Sequence, residues 1–170
     1  MSLTGFLLYN LDAVCLMMLG ACVTSLKIRS VSFVGSFWGL GFVLIAWTSL
    51  ILTPEASTRS VLLVTLTTIW GISLALHIGV SNHGKPEDRR YQEMRQKHGD
   101  RFPLVSLFTV FLLQALLLWI VSLVVQLGIF ARDPGLFGPL DWIGILIWSI
   151  GFVFETVADL HMLLFKRNPA

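Results

Sequence analysis

Five runs of apolar residues, each close to or above the ~20 that cross a bilayer as a helix, set the limits on what this chain can fold into. They cover about residues 5–26, 33–52, 61–80, 104–129 and 142–165. Hydrophobic residues make up 55% of the 170 and charged residues only 13%, with a mean hydropathy of +0.79. A water-soluble domain of this length has too little interior to hide that much apolar surface. The runs are continuous rather than alternating, which argues against a transmembrane β-barrel. The expected fold is all-α: a polytopic helical bundle in a lipid bilayer, forming one transmembrane domain over residues 1–170 with about five transmembrane helices.

The charged residues give this bundle an orientation. Of the 12 Lys and Arg residues, ten fall on one side of the expected membrane. Lys27 and Arg29 lie in the first loop, Lys85, Arg89, Arg90, Arg95, Lys97 and Arg101 in the third, and Lys166 and Arg167 in the tail; Arg59 and Arg132 are on the other side. The positive-inside rule then puts the third loop and the C-terminus in the cytoplasm and the N-terminus outside. The first run lacks a basic start, is long for a signal peptide and contains Asp12, so it reads as a membrane span. The expected location is the bacterial inner membrane or the endoplasmic reticulum. A net charge of +2 is too small to indicate a nucleic-acid partner. Cys15 and Cys22 share the first run and suggest neither a disulfide framework nor a metal site.

Within the spans, Gly35 and Gly39 allow a close helix approach, read as tight packing inside the bundle rather than a dimer face. Trp38 and Trp142 fall near span ends, as belt residues do. Gln114 in the fourth run can bridge helices through its amide. His77 has no second ligand at i+3 or i+4 and reads as structural. The fourth loop carries Pro134-Gly135 and Gly138-Pro139, a turn signature.

Two polar stretches interrupt this pattern. The third loop has Pro86 suited to a first helical turn, Glu87 and Asp88 to its positive end, Lys97 and His98 to its negative end, and Gly99 to closing it. It predicts a short cytoplasmic interfacial helix over residues 86–98, the other reading being a solvated basic loop held by anionic headgroups. The fifth run carries Glu155 and Asp159 near its middle, where a carboxylate costs roughly 2.5–3.5 kcal/mol. Glu155, Asp159 and Lys166 fall on one helical face at about 100° per residue. They predict either a polar site opening toward the cytoplasm or a buried interhelical cluster.

A set of residues spread along the chain carries a family likeness. It comprises Phe37-Trp38-Gly39-Leu40-Gly41-Phe42, Trp70-Gly71, Gly84 to Tyr91, Phe111-Leu112-Leu113-Gln114, and Gly151 with Glu155, Asp159 and Phe165-Lys166. In order and spacing it resembles the uncharacterised multi-pass membrane proteins grouped with the steroid 5-alpha-reductases. Those reductases use NADPH to reduce a carbon–carbon double bond conjugated to a ketone in a lipid. The resemblance implies a cytosolic NADPH pocket contacted by Glu155, Asp159 and Lys166, a lipid-like small-molecule substrate, and a proton donor for which Tyr91 is the candidate. Ser36 stands where the family usually has an acid, and Ile72 and Ser73 where it usually has Arg. The family also continues into an Arg-His-Pro-Asn-Tyr segment and further helices that complete the cofactor site, so this chain is expected to be the first part of such a domain. The alternative is a non-catalytic scaffold, or a subunit working with a membrane-protein partner. A small transporter using Glu155 and Asp159 ranks third, since neither an inverted repeat nor a broken helix is visible.

Overall fold

The computed structural model describes residues 1–28, 30–131 and 137–167, the last without the side chains of Lys166 and Arg167. Every element among the described residues is helical. In order they are α1 (Leu3–Ile28), α2 (Ser36–Leu52), α3 (Thr58–Asn82), α4 (Arg89–His98), α5 (Phe102–Ser106), α6 (Leu113–Val121), α7 (Leu123–Phe130) and α8 (Pro139–Arg167). A 3₁₀ turn at Ser32–Gly35 leads into α2, another at Gly99–Arg101 links α4 to α5, and a π-helical stretch at Leu107–Leu112 links α5 to α6. Five helical stretches are long and apolar enough to cross a membrane. The protein is an all-α, multi-pass membrane protein.

The helices reach a little past the apolar runs because caps lie in the polar flanks. Ser57 Oγ accepts the Ser60 N–H at 3.1 Å and starts α3 three residues before the expected span. Of the expected turn in the fourth loop, Pro134-Gly135 lies outside the described residues. Gly138 is described, and its N–H donates to Asp141 Oδ2 at 2.7 Å across the first turn of α8. The basic residues Arg29 and Arg132 also lie outside the described residues.

The chain divides into two compact units, Met1–Arg132 and Asp133–Ala170. The first has its largest helix–helix interface between α2 and α3. A Cβ built on Gly39 would lie 2.1 Å from the Gly71 carbonyl oxygen, and one on Gly71 would lie 2.6 Å from the Gly39 carbonyl oxygen. The two backbones therefore touch where neither helix has a side chain. Gly35 faces Ile78 of α3 in the same seam. The Gly35/Gly39 spacing thus serves packing inside the bundle, as the sequence suggested.

Side chains of α1, α2, the 3₁₀ turn and the fourth span meet in one core that includes Met18, Val34, Phe42, Phe102, Phe111 and Leu118. Hydrogen bonds also tie the helices together. Trp119 Nε1 donates to the Leu7 carbonyl (2.9 Å), Ser49 Oγ to Asn10 Oδ1 (3.2 Å) and Ser60 Oγ to the Ile129 carbonyl (3.1 Å). In apolar surroundings each such bond contributes about 1 kcal/mol.

The second unit is dominated by α8, 29 residues long. Trp148 and Phe152 stack along it with centroids 5.0 Å apart.

Because the Gly39–Gly71 contact is backbone on backbone, Gly39→Ala has no flexible neighbour to displace. It is expected to lower stability by roughly 1–3 kcal/mol in detergent-solubilised protein. Gly20→Ala is the control, with nothing within 4 Å of the added Cβ; it should be neutral or stabilising by about 0.5–1 kcal/mol. Equal thermal midpoints for the two variants would remove the contact from the account of this interface.

Candidate functional site

The third loop builds a site, and its own chemistry explains how. After α3, Gly84 turns the chain with φ +72°, a left-handed conformation that any larger side chain resists. The following residues are then fastened to the turn between α1 and α2. The Val31 N–H donates to Glu87 Oε1 at 2.8 Å, and the Asp88 N–H donates to Ser32 Oγ at 2.7 Å. Arg95 closes on Glu87 from the other side, Nη2 to Oε1 at 3.0 Å and Nε to Oε2 at 3.3 Å. The Arg95 guanidinium also lies 4.1 Å above the Phe102 ring. The Glu87 side chain is only 11% exposed, so its carboxylate is satisfied by one backbone donor and one forked guanidinium.

This fastening corrects the expected helix over residues 86–98. Helix α4 starts at Arg89, because Asp88 is its N-cap: the Asp88 backbone stays extended while Oδ1 accepts the Arg90 N–H at 2.9 Å. Pro86 and Glu87 belong to the fastened segment before it. At the other end the Gly99 N–H reaches the Arg95 carbonyl with φ +48°, the closure expected of that glycine. Tyr91 and Met94 lie on one face of α4 and pack against the core, so this segment is a docked helix rather than a solvated loop.

The result is a cavity of about 420 Å³ at one end of the first unit. Its walls come from Ser32, Val34 and Gly35 of the 3₁₀ turn and Trp38 of α2, Asn82 at the end of α3, Lys85, Pro86, Asp88, Arg90 and Tyr91 of the third loop and α4, and Gln114 of α6. Trp38 Nε1 donates to Gln114 Oε1 at 2.7 Å, so the amide bridges two helices as expected. Burial pushes the Tyr91 phenol above its ordinary range, with smaller opposing effects from Arg90 and Gln114. It therefore holds its proton throughout the neutral range. Arg90 pairs with Asp88 through Nη2–Oδ2 at 3.0 Å, and that hydrogen bond holds the Asp88 carboxyl below the usual range. The two charges of the pair offset one another, and Lys85 is a further basic residue of the lining.

Of the site residues expected from sequence, Tyr91 is in this cavity. Glu155 and Asp159 sit one turn apart on one face of α8, both partly buried, in the second unit. The helix continues through Lys166, whose side chain lies outside the described residues. Ser32 and Asn82 are cavity residues that the sequence does not single out; Trp38 reads there as a membrane-belt residue, and Trp38 and Lys85 both fall in stretches that carry the family likeness.

Residues 21–170 match the family described as Protein of unknown function (DUF1295). The chain belongs to the DUF1295 family. No curated protein and no solved structure matches it. The DUF1295 match covers the cavity and α8 alike, and leaves out only the first 20 residues of the chain.

Two outcomes follow for this DUF1295 chain. Glu87→Ala strips the carboxylate from Arg95 and the acceptor from Val31, and is expected to cost roughly 1–3 kcal/mol. It should also speed tryptic cleavage at Arg89, Arg90 and Arg95. Glu93→Ala removes only the exposed Arg89 pair, and its cleavage rate should stay at the wild-type value. Asp88 gives a pH dependence whose sign follows from its lowered pKa. Its capping contribution is present above the ordinary value of 3.8 and is lost as pH falls through the lower folded value. Amide exchange at Arg90 should stay protected near pH 4 and quicken only in stronger acid.

Proposed function

We propose that this chain is a membrane-embedded reductase of the steroid 5-alpha-reductase type, which uses NADPH to reduce a conjugated double bond in a lipid. The observation that supports the reading is the cavity. Trp38, Lys85, Pro86, Asp88, Arg90, Tyr91 and Gln114 belong to the stretches that resemble the membrane proteins grouped with the reductases, and together they line one space of about 420 Å³. That size lies within the ~300–1,000 Å³ range of small-molecule sites.

The donor chemistry of α8 fits the cofactor. NADPH offers a carboxamide, ribose hydroxyls and an adenine amine as hydrogen-bond donors, and two carboxylates one turn apart suit such groups. In this reading Glu155 and Asp159 hold the donor groups, and Lys166, seven residues further on, takes a phosphate. Bound NADPH supplies a hydride. Tyr91 holds its proton at Oη, ready for the carbonyl oxygen of the substrate, where negative charge grows as the conjugated bond is reduced. The proposal includes the orientation read from the basic residues: cavity and C-terminus in the cytoplasm, in the bacterial inner membrane or the endoplasmic reticulum.

The test is NADPH binding to the purified protein, followed by nucleotide fluorescence. Wild type should bind and Asp159→Ala should not. Equal binding by the two would show that the cofactor face is wrongly assigned, and no binding by wild type would favour the non-catalytic scaffold. Tyr91→Phe should keep NADPH affinity while slowing reduction of an enone lipid by roughly 10²–10⁴-fold, the usual contribution of a positioned proton donor.

A further inference from the structure

The indole of Trp38 fixes the Gln114 amide. An indole N–H only donates, so the 2.7 Å bond runs from Trp38 Nε1 to the amide oxygen. Exchanging the oxygen and nitrogen of the amide would set donor against donor, so Oε1 stays on the indole and the NH₂ group is left to offer elsewhere. Among the described residues, Gln126 Oε1 is the one buried side-chain polar atom without a partner. The Gln114 nitrogen has no partner among them either, so it is not buried and opens onto free space. The space that Gln114 borders is the cavity.

That cavity is graded. Asn82, Lys85 and Arg90 are exposed, whereas Trp38, Tyr91 and Gln114 are half-buried. Gln114 lies within the fourth apolar run, and the π-helical stretch before it ends two residues earlier. Such a stretch re-aims the side chains beyond it and recurs at functional sites. An amide donor held in these surroundings without an acceptor is unfavourable, and an incoming oxygen relieves it.

We propose that Gln114 is a ligand-binding residue of this cavity: its amide N–H donates to the carbonyl oxygen of a conjugated ketone, and Trp38 is the positioning residue that aims it. The carbonyl class rests on the reductase reading above; the aimed donor does not. Tyr91 lines the same space, and a carbonyl oxygen has two lone pairs, one for the phenol and one for the amide. The amide gives up no proton. It stabilises the negative charge that gathers on the oxygen as the conjugated bond is reduced, and the indole spares it any reorganisation when the ligand arrives. A hydrocarbon of the same shape without the oxygen would leave the donor unpaired, so Gln114 selects for the ketone.

The experiment compares two probes of one carbon frame: an octalone, which is a bicyclic conjugated enone, and the octalin that lacks its oxygen. Binding to the full chain in detergent micelles is followed by calorimetry, against empty micelles and without nucleotide. Wild type should bind the octalone more tightly than the octalin. Gln114→Met should lose roughly three- to tenfold of that preference, the contribution of one hydrogen bond, and bind the octalin as wild type does. A merely structural role would move both affinities together. Trp38→Phe keeps the amide but not its aim, and should lose part of the same preference. Binding of neither probe by wild type, equal affinities for the two, or a preference as large in Gln114→Met as in wild type overturns the proposal. Should Gln114→Met fail to fold by circular dichroism, Trp38→Phe decides, and an undiminished preference in it overturns the assignment. Nucleotide is absent throughout, so failure of the chain to bind NADPH counts against the reductase reading only.

Discussion

The close approach of α2 and α3 at Gly39 and Gly71 is the constraint on which the first unit rests. Two helix backbones in van der Waals contact leave no room for adjustment, so their axes cross at one point. That crossing brings the start of α2 and the end of α3 to the same end of the unit. Trp38, one residue before Gly39, and Asn82, at the last turn of α3, become walls of one cavity as a consequence. In an apolar solvent the hydrophobic effect does little to hold helices together, so contact of this kind and a few interhelical hydrogen bonds must fix the geometry.

The third loop adds the remaining wall by a different physics. It is polar, and its position is set by pairing rather than by burial. Glu87 joins the turn before α2 to α4 through one backbone N–H and one guanidinium. Asp88 carries two tasks with one carboxylate, capping α4 and neutralising Arg90. Among the described lining residues, the Arg90–Asp88 pair and Lys85 carry charge, and Trp38, Asn82, Tyr91 and Gln114 offer neutral hydrogen-bonding groups.

Much of the fold was legible in the sequence because the bilayer demands long apolar helices, and residue composition alone shows where they run. The helix ends were less so, since Ser57 and Asp88 act as caps from outside the periodic segments. Nothing local marks the π-helical stretch or the turn at Ser122 within the fourth span: residues 107–122 include neither proline nor glycine to signal a bend. The site was legible in part. The spacing of Glu155 and Asp159 fixes their shared face through the helical period, and Gln114 stands out as an amide in an apolar run. The role of Trp38 did not show, because its partner lies 76 residues away and position near a span end gives the same residue a sufficient reason to be there. Long-range pairing of this kind leaves no trace in a local pattern.

The π-helical stretch at Leu107–Leu112 has a consequence for how this span tolerates change. A π turn accommodates an extra residue relative to an α-helix, and it ends immediately before the turn that carries Gln114. Everything after it, including Gln114, Ala115 and Leu118, owes its facing to that extra residue. Loss of one residue there would let the segment relax to an α-helix and rotate one side of the span against the other by about 100°. The amide would leave the indole, and lipid-facing leucines would turn into the core. Substitutions along this span are local events, whereas a single-codon deletion is a change of register, felt at once by the cavity and by the packing below it.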